Sequence, residues 1–128
     1  METMKIRILI VDDHQMFRDG LKALLALQND VEVVGEAQNG QEAVVLSRDL
    51  RPDIILMDVN MPVMDGVEAT RRILAETPDM KILALSMYSD NGFVKGIMHA
   101  GALGYIMKGG DFDELSGAIR RAAGSGNF

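Results

Sequence analysis

Ile54-Ile55-Leu56-Met57-Asp58 runs through four apolar residues straight into a carboxylate, and the chain continues Val59-Asn60-Met61-Pro62-Val63-Met64-Asp65-Gly66. A run that is apolar at every position, rather than at alternate ones, fits a strand covered on both faces, as the strands of a parallel sheet are. Four more short apolar runs occur, at Ile6 to Val11, Val31 to Val34, Ile82 to Leu85 and Leu103 to Met107. Between the runs, apolar residues fall at helical spacing: Phe17, Leu21, Leu24 and Leu25; Ala43, Leu46 and Leu50; Ala69, Ile73 and Leu74; Val94, Ile97 and Met98; Leu115, Ala118, Ile119 and Ala122. Each strand is therefore followed by a helix.

Five such units predict an α/β fold, a doubly wound five-stranded parallel sheet of (βα)5 type with right-handed crossovers. The flavodoxin-like strand order 2-1-3-4-5 is the leading topology. Punctuation agrees: Asn39-Gly40 precedes the second helix, Arg51-Pro52-Asp53 precedes the third strand, and Gly101 follows the fourth helix. A chain of 128 residues is the size of one domain, read here as residues 1–123. Gly124-Ser125-Gly126-Asn127-Phe128 reads as the start of a linker.

With 48% hydrophobic and 25% charged residues, the chain has the composition of a soluble globular domain, and no apolar run approaches membrane-spanning length. The first residues lack the long apolar stretch of a signal peptide, and the absence of cysteine excludes disulfides and thiolate sites; a cytoplasmic location is expected. A net charge of −6 and the lack of a basic stripe exclude direct DNA binding by this chain.

In a sheet of this order, ligands bind beyond the carboxyl ends of the strands, where the order reverses between strands 1 and 3. Strand 1 runs into Asp12-Asp13, strand 3 into Asp58, strand 4 into Ser86 and strand 5 into Lys108, while edge strand 2 ends in uncharged Ala37-Gln38-Asn39. A single acid after a strand is commonly a cap or a solvated turn residue. Three acids, a hydroxyl and a lysine arriving from four strand ends form a pattern that coincidence explains poorly. Clustered carboxylates raise one another's pKa unless a cation compensates, and an oxygen-only donor set points to Mg²⁺.

Val11-Asp12-Asp13, the segment Met57-Asp58-Val59-Asn60-Met61-Pro62-Val63-Met64-Asp65-Gly66, Ser86, and Tyr105-Ile106-Met107-Lys108 together resemble the motif set of response-regulator receiver domains, over essentially the whole chain. The resemblance implies that Asp58 accepts a phosphoryl group from a sensor histidine kinase. It implies that Asp12, Asp13, Asp58 and the backbone carbonyl of Asn60 hold Mg²⁺, and that Ser86 and Lys108 contact phosphoryl oxygens. Carboxylate nucleophiles do form such covalent intermediates, and neutralising charge on the transferring group is most of the catalysis. The signalling outcome makes the chain a switch rather than an enzyme, with self-catalysed phosphorylation and slow dephosphorylation.

Tyr105 matches the family's switch aromatic, which moves inward when Ser86 is drawn to the phosphoryl group, so that the face of helix 4, strand 5 and helix 5 is the readout surface. Asn60 and Tyr88 occupy the positions that tune hydrolysis, and bulky Tyr88 is expected to slow it. Phe17-Arg18-Asp19-Gly20-Leu21 with Leu24-Leu25 resembles helix 1 of regulators whose output is a LuxR-type helix-turn-helix. DNA contact is then expected only through an output domain outside this chain, and a phosphorylation-dependent homodimer is compatible with the resemblance. His14 is read as an exposed residue in the first turn of helix 1, and the methionines as packing. Lys108 is followed by Gly109, where many family members have proline, which leaves the geometry of that loop, a cis peptide included, open.

Two rival readings share the fold class. An aspartate-nucleophile phosphatase needs a second acid two residues after the nucleophile, and Asn60 stands there. An FMN carrier needs hydroxyl and glycine donors in the first loop, where Asp12-Asp13-His14 would repel a phosphate.

Overall fold

The computed structural model describes residues 4–87 and 91–124. In chain order the elements are β1 (Ile6–Val11), α1 (Gln15–Leu25), β2 (Val31–Ala37), α2 (Gly40–Leu50), β3 (Ile54–Asp58), α3 (Gly66–Glu76), β4 (Lys81–Ser86), α4 (Asn91–Ala100), β5 (Gly104–Met107) and α5 (Phe112–Gly124). The five strands pair in parallel in the order β2-β1-β3-β4-β5, so the chain reverses its direction of travel across the sheet between β1 and β3.

Residue parity explains why the apolar runs are continuous. Successive strand side chains point to opposite faces. Ile8, Ile10, Ile54, Leu56, Leu83, Leu85 and Ile106 pack against Leu21 and Leu25 of α1 and Leu115 and Ile119 of α5. Leu9, Val11, Ile55, Met57, Ile82 and Ala84 pack on the other face against Ala43 of α2, Ala69 and Ile73 of α3, and Ile97 of α4. A strand serving two cores cannot alternate.

The structure differs from expectation mainly at the edges of elements. β2 runs to Ala37, three residues beyond the expected Val34, because an edge strand keeps pairing with β1 through the half-exposed Gly35 and Glu36, past a register shift between Ile8 and Leu9. β3 includes Asp58, which pairs with Leu85. β5 begins at Gly104, although the Leu103 amide still donates to the Ile82 carbonyl at 2.8 Å. α5 extends through Gly124, the residue at which the linker was expected to start; residues 125–128 and Tyr88 lie outside the described residues. No described helix is long and apolar enough to cross a membrane.

Candidate functional site

The site is assembled at the carboxyl edge of the sheet. Asp12 follows β1 and is fully buried; its amide donates to the Ala37 carbonyl at 3.0 Å, which carries the strand pairing one residue past β1. One of its carboxylate oxygens, Oδ1, accepts the His14 amide at 2.8 Å, and the other, Oδ2, lies 2.7 Å from Lys108 Nζ. Asp58 closes β3 at 3% exposure, with Oδ2 3.5 Å from the same ammonium and Oδ1 at a long 3.5 Å from the Asn60 amide. Ser86 closes β4, and its carbonyl accepts the Lys108 amide at 2.8 Å, tying the end of β5 to that of β4. Lys108 stands 4.8 Å from the Phe17 ring centroid, a cation–π contact that braces its head from α1.

The β3–α3 loop is tied down on both sides. The Asp65 carboxylate caps α3 by accepting the Glu68 amide at 2.9 Å, and the Gly66 amide donates to the Val59 carbonyl at 3.0 Å. A Cβ on Gly66 would stand 2.1 Å from the Asp58 carbonyl oxygen, so only glycine lets the helix start this close behind Asp58. Asp65 and Gly66 are therefore part of how Asp58 is held. Gly109 has φ 81, beyond the reach of a proline ring, and no peptide bond among the described residues is cis.

Burial pushes the Asp58 carboxyl up to about 7, with the Asp12 charge adding to the rise and Lys108 opposing it. Asp12 Oδ2, Asp13 Oδ1 and Asp58 Oδ2 are buried oxygens that accept no hydrogen bond among the described residues, their near neighbours being Lys108 Nζ, 2.7 Å from Asp12 and 3.5 Å from Asp58, and His14 Nδ1, 3.2 Å from Asp13. Buried carboxylate oxygens in native proteins are rarely left so, and several converging ones are what an oxygen-preferring cation completes. Asp12, Asp13, His14 and Asp58 each bring a ligand atom within 4.8 Å of the others.

His14 departs from expectation in one respect. It is exposed, as expected, but it stands just before α1 as the residue at its N-cap, and its Nδ1 lies 3.1 Å from Asp12 Oδ1 and 3.2 Å from Asp13 Oδ1. The strand ends thus carry a nitrogen donor that the oxygen-only reading omitted. Ser86 is 1% exposed and its hydroxyl makes no hydrogen bond among the described residues, while Tyr105 on β5 is 52% exposed and so faces outward. Asn60 is exposed.

A residue that sequence reasoning treated only as a subfamily mark also belongs to the site. Arg18 is 7% exposed; its Nη1 donates to the Asp12 carbonyl at 2.6 Å and its Nε to Glu36 Oε1 at 2.9 Å. Lys22 donates to the other Glu36 oxygen at 2.6 Å. The Lys22 hydrogen bond, with help from Arg18, holds Glu36 below its usual range. Arg18 replaces Leu24, 43% exposed, on the inward side of α1. Helical spacing cannot show that a charged residue has a buried carbonyl to bond.

Residues 8–120 match the family described as response regulator receiver domain. The chain belongs to that family. Relatives include the transcriptional regulatory protein DegU of Brevibacillus brevis, 44% identical over 97% of this chain and 52% of its own length. The transcriptional regulatory protein LiaR of Bacillus subtilis (strain 168) is 48% identical over 92% of this chain and 56% of its own. Among solved structures, a two-component response regulator of the LuxR family from Aurantimonas sp. SI85-9A1 superposes with a TM-score of 0.89 at 36% identity, covering 96% of this chain and 87% of that one. The receiver domain thus spans about half the length of these curated relatives.

Proposed function

We propose that this receiver domain is a phosphoryl-accepting switch in which Asp58 takes a phosphoryl group from a histidine of a sensor kinase. The observation that carries the reading is the buried Asp58 Oδ2 at the topological switch point, which accepts no hydrogen bond among the described residues and stands 3.5 Å from Lys108 Nζ. Asp58 Oδ2 attacks phosphorus; the P–O bond forms as the P–N bond breaks, and its electron pair leaves with the donor imidazole. Lys108, held by Phe17 and by the strand end at Ser86, offers a fixed positive charge to the transferring oxygens. The Ser86 hydroxyl is free to donate to a phosphoryl oxygen.

Asp12, Asp13 and Asp58, with the Asn60 carbonyl, are the residues that would hold Mg²⁺, and the convergence of the three carboxylates within 4.8 Å of one another fits it. Bound Mg²⁺ would neutralise the cluster, favour ionised Asp58 and share the charge of the phosphoryl oxygens. Self-catalysed phosphorylation follows from this arrangement, and slow loss of the group follows from Asn60, which cannot titrate, standing where a general acid and base would be needed. Outward Tyr105 fits the unphosphorylated state; its inward movement once Ser86 is engaged would change the face of α4, β5 and α5.

By kinship with the DegU and LiaR transcriptional regulators, the readout is control of transcription through an attached DNA-binding domain, with phosphorylation-dependent pairing of two copies and a cytoplasmic setting. The test is to phosphorylate the protein with a small acyl phosphate, reduce the adduct with borohydride and map the modified peptide. Modification at Asp58 is expected; modification at His14, or none, overturns the reading.

A further inference from the structure

We propose that Arg18 is a positioning residue for the cation-binding acids, fixing Asp12 from behind the pocket; the proposal rests on the reading of the pocket as a Mg²⁺-dependent acceptor site. Asp12 is the residue through which the pocket is braced. Its side chain is held by the His14 amide at 2.8 Å and approached by Lys108 at 2.7 Å, both on the pocket side. Its backbone carbonyl receives Arg18 Nη1 at 2.6 Å. Without that bond a carbonyl at the end of β1 would be buried beside three carboxylates with only the strand to orient it.

Arg18 is itself held in place. Glu36, at the end of β2, takes its Nε at 2.9 Å, and Lys22, one turn further along α1, takes the second Glu36 oxygen at 2.6 Å. The planar fork of arginine reaches two acceptors at once, which a lysine ammonium on a flexible stem does less rigidly. The guanidinium is buried while its partner carboxylate is part-exposed, with 8% and 31% side-chain exposure, so the charge is drawn inward toward Asp12. The adjacent residue does the matching task for the other end of the site, since the Phe17 ring stands 4.8 Å from Lys108 Nζ. Two neighbouring residues of α1 therefore brace the acid and the base of the pocket.

Residues that orient a metal ligand without touching the metal typically change affinity by about 10 to 100-fold when removed. The experiment measures Mg²⁺ binding by calorimetry, and separately the Mg²⁺ concentration giving half the maximal rate of phosphorylation by a small acyl phosphate, in wild type, Arg18→Met and Arg18→Lys. Arg18→Met should bind Mg²⁺ about tenfold more weakly and need correspondingly more for half-maximal rate, with the rate at saturating Mg²⁺ largely kept; Arg18→Lys should recover part of the affinity. A purely structural arginine would lower the melting temperature and leave both Mg²⁺ constants unchanged. Arg18→Met that is folded and binds Mg²⁺ like wild type overturns the proposal. If Arg18→Met does not fold, Arg18→Lys with wild-type Mg²⁺ constants overturns it equally. Wild type that neither binds Mg²⁺ nor becomes phosphorylated would instead overturn the acceptor-site reading beneath it.

Discussion

Asp58 is destabilising where it stands until something neutralises it. Its carboxyl is pushed up to about 7, chiefly by burial, from an ordinary value of 3.8. For an acid whose folded pKa is raised, the folded state holds the proton more tightly, so stability is lost as pH climbs from about 4 to about 7 and the loss is complete above that window. Asp58→Asn should therefore stabilise the metal-free protein by on the order of 3 kcal/mol at pH 8 and by little at pH 4, measured by urea denaturation at both pH values. Adding Mg²⁺ at pH 8 should shrink the gap by stabilising wild type more than the variant. Val63 offers a second residue-scale test. It has φ 69 and is 77% exposed, and the Met64 amide donates to the Pro62 carbonyl at 2.7 Å across it. A β-branched residue in that region is strained, so Val63→Gly should raise stability by about 1 kcal/mol, read as an upward shift in melting temperature.

At the scale of elements, the loop from β3 to α3 and the clamp on α5 show what positions the site and what merely closes the fold. Gly66→Ala would drive a Cβ into the Asp58 carbonyl, a backbone atom that cannot step aside. We expect a loss of about 2 to 3 kcal/mol by denaturation and a slower phosphorylation rate at saturating Mg²⁺, because the acceptor strand end must shift. Arg120 reaches from α5 to Asp30, with Nε at 2.7 Å and Nη2 at 3.0 Å, and to Gln28 at 2.6 Å. The pair is 43% and 41% exposed, so a double-mutant cycle of Arg120→Ala and Asp30→Asn should show little coupling in stability by denaturation, with phosphorylation unchanged. The elements themselves were legible because β1, β3 and β4 are buried on both faces and read as unbroken apolar runs. β2 was shortened in that reading because an edge strand is half-exposed, and Glu32, Gly35 and Glu36 interrupt its pattern while its backbone pairing continues.

Over the whole molecule, the acids, the hydroxyl and the lysine were legible because the topology delivers strand ends to one edge, and the order β2-β1-β3-β4-β5 puts β1 and β3 side by side there. Contacts made from behind that edge were not. Arg18 read only as part of a helix-1 resemblance, and His14 as an exposed residue, because neither periodicity nor spacing records which backbone carbonyl or carboxylate lies within reach across the fold. At α4 and β5 the partly exposed Met98, Tyr105 and Met107 line one shallow groove together with Ser86. The central claim, that Asp58 accepts one phosphoryl group with help from a divalent cation, is tested most directly by intact mass after incubation with Mg²⁺ and a small acyl or amido phosphate. The account predicts one added phosphoryl group on wild type, none on Asp58→Asn and none when a chelator replaces Mg²⁺; native protein that gains no phosphoryl group, or Asp58→Asn that gains one as readily, would contradict it.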